Sequence, residues 1–265
     1  MAVGLSPVHG EDASPWATDT HSQVRLIAGS NAPRQPVLRA GLDIKLAPGW
    51  TTYWRYPGDS GVPPRFDFGA SSNVKAVQVL WPAPERLVDG GGQSIGYNDR
   101  VIMPLRVVPT DPGRPVLLYL KLSYAVCEKL CVPAEATARL ALTPAASTQE
   151  AALAAAEARV PKPSKIGDAG AVAVRTVRRK DGGQRPRIVV DVATPKDVAV
   201  DLFAEGPTPD WALPLPEPSG SPAPGLRQFA FDLDGLPAGA QPNGAELTFT
   251  LVAGTEAIEV KTRLD

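Results

Sequence analysis

Hydrophobic and polar positions alternate along most of this chain, which predicts strands rather than helices. The clearest case is the run in which Val116, Leu118, Leu120, Leu122 and Tyr124 alternate with Tyr119, Lys121 and Ser123, the period of a half-buried strand. Leu38, Leu42, Ile44 and Leu46 stand opposite Arg39, Gly41, Asp43 and Lys45 in the same way. Further strands are expected over residues 23–29, 74–81, 101–108 and 136–142. Residues 50–56 place four aromatics in seven positions, a density read chiefly as sheet core. A carbohydrate or peptide groove is the sharper alternative for them.

The pattern breaks once. Residues 148–159 are rich in Ala, Glu and Leu and predict a helix, with Ser147 or Thr148 available as N-cap, ending before Pro161 and Pro163. Strands then resume, with Ile188, Val190 and Val192, then residues 198–204 and 229–233, then Leu247, Phe249 and Leu251, then Ile258 and Val260. The fold class is therefore all-β, and the regular short strands of the second half suggest a β-sandwich of their own.

Composition narrows the possible functions. The 265 residues carry 27 basic and 28 acidic side chains, a balance that points away from nucleic acid and acidic membrane surfaces. The 29 prolines and 24 glycines suit many short strands joined by turns. No apolar run approaches the roughly 20 residues of a membrane span, and residues 1–7 have neither the basic region nor the apolar core of a signal peptide. Histidine occurs only at 9 and 21, and two thiolates lack the further ligands of a zinc site, so no metal or other cofactor is expected. No Gly-x-Ser-x-Gly elbow accompanies a histidine, which leaves hydrolase chemistry without support.

The candidate chemistry lies in the two cysteines of the chain, Cys127 and Cys131. Along a continuing strand they would stand about 13 Å apart at roughly 3.3 Å per residue, whereas a disulfide needs Cα atoms within about 7 Å. If they pair, the chain turns back within Glu128, Lys129 and Leu130, at a hairpin tip or a single helical turn. Pro133, lacking an N–H, is expected to end the ladder there. So short a loop adds only about 2 kcal/mol of chain-entropy stabilisation, which favours thiol exchange over a structural clip. A carboxylate at Glu128 or Asp89 would raise a nearby cysteine pKa or handle its proton. Two other readings remain: a non-catalytic binding or assembly module with a static disulfide, and Cu(I) held by the two thiolates. The glycines at 90, 91 and 92 predict a mobile loop with no phosphate-cradle signature after them.

Three stretches together resemble the N-terminal periplasmic domain of the DsbD/ScsB family of protein-disulfide reductases. They are Gly49 to Pro64, Ile95 to Val101, and Tyr124 to Pro133 with its Cys-x3-Cys. The resemblance covers roughly residues 20–143. It implies an immunoglobulin-like sandwich whose cysteines, here Cys127 and Cys131, take electrons from a membrane-embedded thiol reductase domain and pass them to periplasmic thioredoxin-like proteins. It also implies a cap over the pair, here residues 86–97. In DsbD the cysteines are more widely spaced and the cap carries an aromatic. In this chain the cap centre is Gly90, Gly91 and Gly92, leaving Leu87, Val88 and Tyr97 as shielding residues beside Asp89, with Tyr124, Glu128 and Pro133 in support. The tighter spacing and the second β domain are closer to the ScsB branch. The expected division is a polar arm (1–20), an immunoglobulin-like redox domain (21–146), a helical and proline-rich linker (147–164) and a second β-sandwich (165–265).

Overall fold

The computed structural model describes residues 11–58, 61–89, 92–183 and 185–264, and the described residues are all-β apart from one short helix. The strands of the first half are Ala17–Thr18 (β1), Ser22–Ala28 (β2), Leu38–Leu46 (β3), Thr51–Gly58 (β4), Arg65–Asp67 (β5), Val74–Val79 (β6), Glu85–Asp89 (β7), Gly92–Asn98 (β8), Arg100–Pro109 (β9), Val116–Cys127 (β10) and Cys131–Leu142 (β11). They form two sheets. One has the order β1-β2-β3-β9-β6; the other runs β11-β10-β4-β8-β7, with β5 added against β10. The inward positions of both, among them Leu26, Leu42, Trp54, Met103, Leu118 and Leu122, make one buried core between the sheets.

The second half contributes Lys162–Ser164 (β12), Ala173–Lys180 (β13), Arg187–Ala193 (β14), Val200–Glu205 (β15), Glu217–Gly220 (β16), Leu226–Asp232 (β17), Glu246–Ala253 (β18) and Glu256–Arg263 (β19). These make two more four-stranded sheets, β12-β19-β18-β15 and β13-β14-β17-β16, around a second core that includes Val190, Leu202, Phe229 and Phe249. Residues 12–18 are not free of the sheets, since Ala13 bridges Ile27 and β1 pairs with β2.

The helix, Glu150–Ala158 (α1), begins at Gln149 without a side-chain cap. This corrects the expected role of Ser147 and Thr148. The Ser147 hydroxyl instead bonds the Ala28 carbonyl, and Thr148 donates to Asp12. Leu153 of α1 lies against Gly29 and Gly41, where a Cβ would stand 2.7 and 3.1 Å from its methyl carbons. Arg39 reaches both Glu150 and Glu157, and Arg106 joins Glu157. Burial acts to raise the Glu157 pKa, but the hydrogen bonds from Arg39 and Arg106 outweigh it and hold the carboxyl below its usual 4.5. Glu150 is lowered by the Ser30 backbone N–H and by Arg39. Both carboxylates therefore stabilise the fold above pH 4.5, and that contribution is lost as pH falls through their depressed folded-state values. Denaturant titrations from pH 5 to pH 3 should show stability falling, and Glu157→Gln should flatten the fall; an unchanged slope would contradict the assignment.

Candidate functional site: a disulfide at a strand-end hairpin

The period-two run beginning at Val116 becomes β10, whose side chains at 118, 120, 122, 124 and 126 enter the first core. β10 and β11 pair without a break from Val116↔Leu142 to Cys127↔Cys131. The chain turns at the three residues between, as a hairpin tip, and the Glu128 amide donates to the Leu130 carbonyl. That turn sets the two cysteine Cα atoms 4.2 Å apart and a disulfide joins them. The separation is near the roughly 4.5 Å of a non-hydrogen-bonded antiparallel pair. The two sulfur-bearing residues differ sharply in access: Cys127 is 1% exposed, while Cys131 is exposed to solvent.

Strand β4 meets β10 only at this end, through Thr52↔Val126 and Thr51↔Cys127. Both threonines reinforce the junction. The Thr52 hydroxyl donates to the Ala125 carbonyl at 2.9 Å and the Thr51 hydroxyl to the Cys127 carbonyl at 3.2 Å. The next residue, Tyr53, projects to the face opposite the main core, where it forms a small buried cluster with Ala125 and Cys127. Its phenol oxygen lies 2.9 Å from the sulfur of Cys127 and 2.9 Å from that of Cys131. Gly61 is the floor that lets the ring lie there: a Cβ at 61 would fall 2.8 Å from Tyr53 Cδ1 and 2.3 Å from Pro57 Cβ.

A phenol O–H is a donor, and a sulfur that takes up negative charge is a stronger acceptor than a neutral one. Tyr53 is therefore placed to stabilise a thiolate released from this disulfide. Beside the exposed Cys131 the hairpin shows apolar Leu130, 80% exposed, and Val132, 39% exposed, next to the exposed charged residues Glu128 and Lys129. Among the described residues no group of three or more His, Cys, Asp or Glu side chains is arranged to hold a metal ion.

The structure gathers some of the sequence-predicted residues and separates others. Glu128 is exposed on the hairpin tip. Pro133, expected to stop the ladder, is instead the third residue of β11, paired with Ala125 on the open edge of the sheet. An edge strand tolerates proline because the missing donor has no partner to serve. Tyr124 faces the main core, its hydroxyl 2.6 Å from that of Ser22, and burial raises its phenol pKa. Tyr97 is also a core residue, donating to the Pro82 carbonyl at 2.9 Å, with burial holding its phenol well above the usual range. The glycine-rich stretch read as a loop is mostly a hairpin of β7 and β8, with Val88↔Gln93 and Asp89↔Gly92 paired; Gly90 and Gly91 lie outside the described residues. Leu87 is buried and lies close beside Gly96, whose strand partner is Tyr53.

Sequence reasoning missed Tyr53, Thr51 and Thr52. The signal was the aromatic run at 50–56. Trp54 and Tyr56 do enter the core, but the residue before them turns the other way, onto the sulfurs. Trp50 stacks on His21, ring centroids 3.7 Å apart.

A β-sandwich whose long β10–β11 hairpin ends in a half-exposed disulfide defines the class of the molecule: an all-β, cysteine-bearing module. Residues 23–144 match the family model described as thiol:disulfide interchange protein DsbD, N-terminal. A solved structure extends the likeness. The N-terminal periplasmic domain of ScsB from Proteus mirabilis superposes with a TM-score of 0.75, covering 96% of this chain and 98% of that one at 20% identity. The shared fold thus takes in all four sheets. No curated protein matches the sequence.

Proposed function

We propose that this chain is a periplasmic thiol–disulfide exchange module. It takes two electrons from the dithiol of a membrane-embedded reductase domain and passes them to oxidised thioredoxin-like partners, without a cofactor. The observation that carries the reading is the asymmetry of the disulfide: an exposed Cys131 beside a buried Cys127, with Tyr53 on both sulfurs.

The chemistry follows from that asymmetry. An incoming thiolate reaches the sulfur of Cys131, the S–S bond breaks, and Cys127 leaves with the electron pair as a thiolate facing the Tyr53 hydroxyl. A second partner thiol then attacks the mixed disulfide, freeing Cys131; the partner is oxidised and the module reduced. Delivery to an oxidised partner runs the same steps in reverse, with Cys131 forming the intermolecular bond and Cys127 resolving it. Leu130 and Val132 offer the partner an apolar seat around the reacting sulfur. Residues 21–146 are read as the redox domain, 147–164 as the linker and 165–265 as the second domain. The β7–β8 hairpin, through Leu87, is read as the shield on the sheet face that carries the sulfurs.

The test is the reduction potential of the pair, from thiol counts after equilibration in graded glutathione or dithiothreitol buffers. A value between about -300 and -180 mV is expected, the range of exchange-active dithiols. A much lower value would make the disulfide a static clip.

A further inference from the structure

The four residues of β4 that follow Thr52 are held in a way the hairpin alone does not require. Tyr53 touches the sulfurs, and each of the next three is gripped by the second half of the chain. The Trp54 ring meets Phe203 at 6.0 Å between centroids, both fully buried. Arg55 donates to Glu205 at 2.9 and 2.7 Å and also pairs with Glu259, its guanidinium 4.4 Å above the Trp54 ring. The Tyr56 hydroxyl donates to the Leu213 carbonyl at 2.8 Å.

The second half presents a matching stripe. Along β15, Leu202 and Ala204 enter the second core, so the alternate residues Asp201, Phe203 and Glu205 face the first. Phe203 joins the first core outright, and Glu205 takes Arg55. Asp201 takes Arg86 of β7, whose guanidinium also reaches Gln93, Glu217 and the Pro216 carbonyl. Charged forks with several partners fix geometry better than single surface pairs. The strand that carries the sulfur-contacting phenol is thus clamped one residue further on by an apolar contact and two residues further on by an ionic one.

We propose that the second pair of sheets sets the reactivity of the disulfide by bracing β4, with Arg55 as the positioning residue that keeps the Tyr53 phenol on the two sulfurs. Its value to the cell rests on the exchange reading above, but the coupling itself is measurable with a small dithiol and needs no partner. Dithiothreitol reduces the pair by attack of its thiolate on Cys131, departure of the Cys127 thiolate, and release of the cyclic reagent disulfide by its second thiol.

The experiment is a double-mutant cycle in the full chain, following the rate of reduction by dithiothreitol for wild type, Arg55→Gln, Tyr53→Phe and the pair. Tyr53→Phe removes a hydrogen bond to the departing thiolate and should slow reduction by about tenfold. Arg55→Gln should slow it by roughly threefold or more, and the double variant should be no slower than Tyr53→Phe alone. A purely structural Arg55 would lower the melting temperature and leave the rate unchanged, which would overturn the proposal. So would rate effects that multiply in the double variant. Should Arg55→Gln fail to fold, Glu205→Gln removes the main anion and is held to the same cycle. Partner trapping that fails while the cycle shows coupling would sink the exchange reading alone; the opposite result would sink only the brace.

Discussion

Cys127→Ala should turn the protein into a trap. With the buried resolving sulfur gone, Cys131 keeps its access to solvent and any mixed disulfide it forms has no internal thiol to release it. Incubated with an oxidised thioredoxin-like protein, this variant should accumulate a covalent adduct on non-reducing gels, with mass spectrometry placing the bond at 131. Cys131→Ala leaves only Cys127, a buried residue 1% exposed in the native protein, and should capture at least about a hundredfold less, since exchange depends on access to the attacking sulfur. Equal capture by the two variants would contradict the assignment of the outer sulfur as the one partners meet. Absence of capture by Cys127→Ala would count against exchange altogether.

A large effect from a single methyl group is expected at Gly96. A Cβ there would sit 2.0 Å from the Thr52 carbonyl oxygen and 3.0 Å from Leu87 Cδ1. The oxygen belongs to backbone and cannot swing aside without parting β4 from β8. Overpacking of this kind costs roughly 1–3 kcal/mol and sometimes more. Gly96→Ala should therefore lower the melting temperature by up to roughly 10 °C for a chain of this size. The damage should not stay local, because Thr52 also holds the Ala125 carbonyl and precedes Tyr53. Slower reduction of the disulfide by small thiols is expected well below the melting point, because the Tyr53 phenol is drawn off the sulfurs. Gly170→Ala, where the nearest atom is the Val172 carbonyl oxygen at 3.3 Å and the glycine itself is exposed, serves as the control and should melt near wild type.

The hairpin was legible because its information is local. Period-two alternation placed β10, and the geometric limit on a disulfide required the turn at 128–130 that the structure contains. The partner of the sulfurs was not legible, although the aromatic run was noticed. Aromatic density tells that a strand is buried, not which face each ring takes, and Tyr53 and Trp54 go to opposite faces. Which face each ring takes follows from the seating of β4 between β10 and β8, with Thr51 and Thr52 paired to both, strands that lie far away along the chain. The grip on Arg55 spans 150 positions to Glu205, beyond any local pattern. Pro133 was misjudged for a different reason: proline forbids a central strand but not an edge, and strand order is a property of the assembled sheet.

Pro133 also bears on how two copies of this molecule meet. Cys127 and Cys131 form a non-hydrogen-bonded pair, and by alternation so do Ala125 and Pro133, so the backbone nitrogen at 133 points away from β10 toward open solvent. An unpaired strand edge ordinarily invites a second chain to zip onto it, and here the edge begins at an exposed sulfur. Parallel, in-register association along that edge would bring two Cys131 residues together and favour a covalent dimer. The imide nitrogen interrupts the row of donors two residues from the cysteine, so the edge resists zippering where cross-linking would be most harmful.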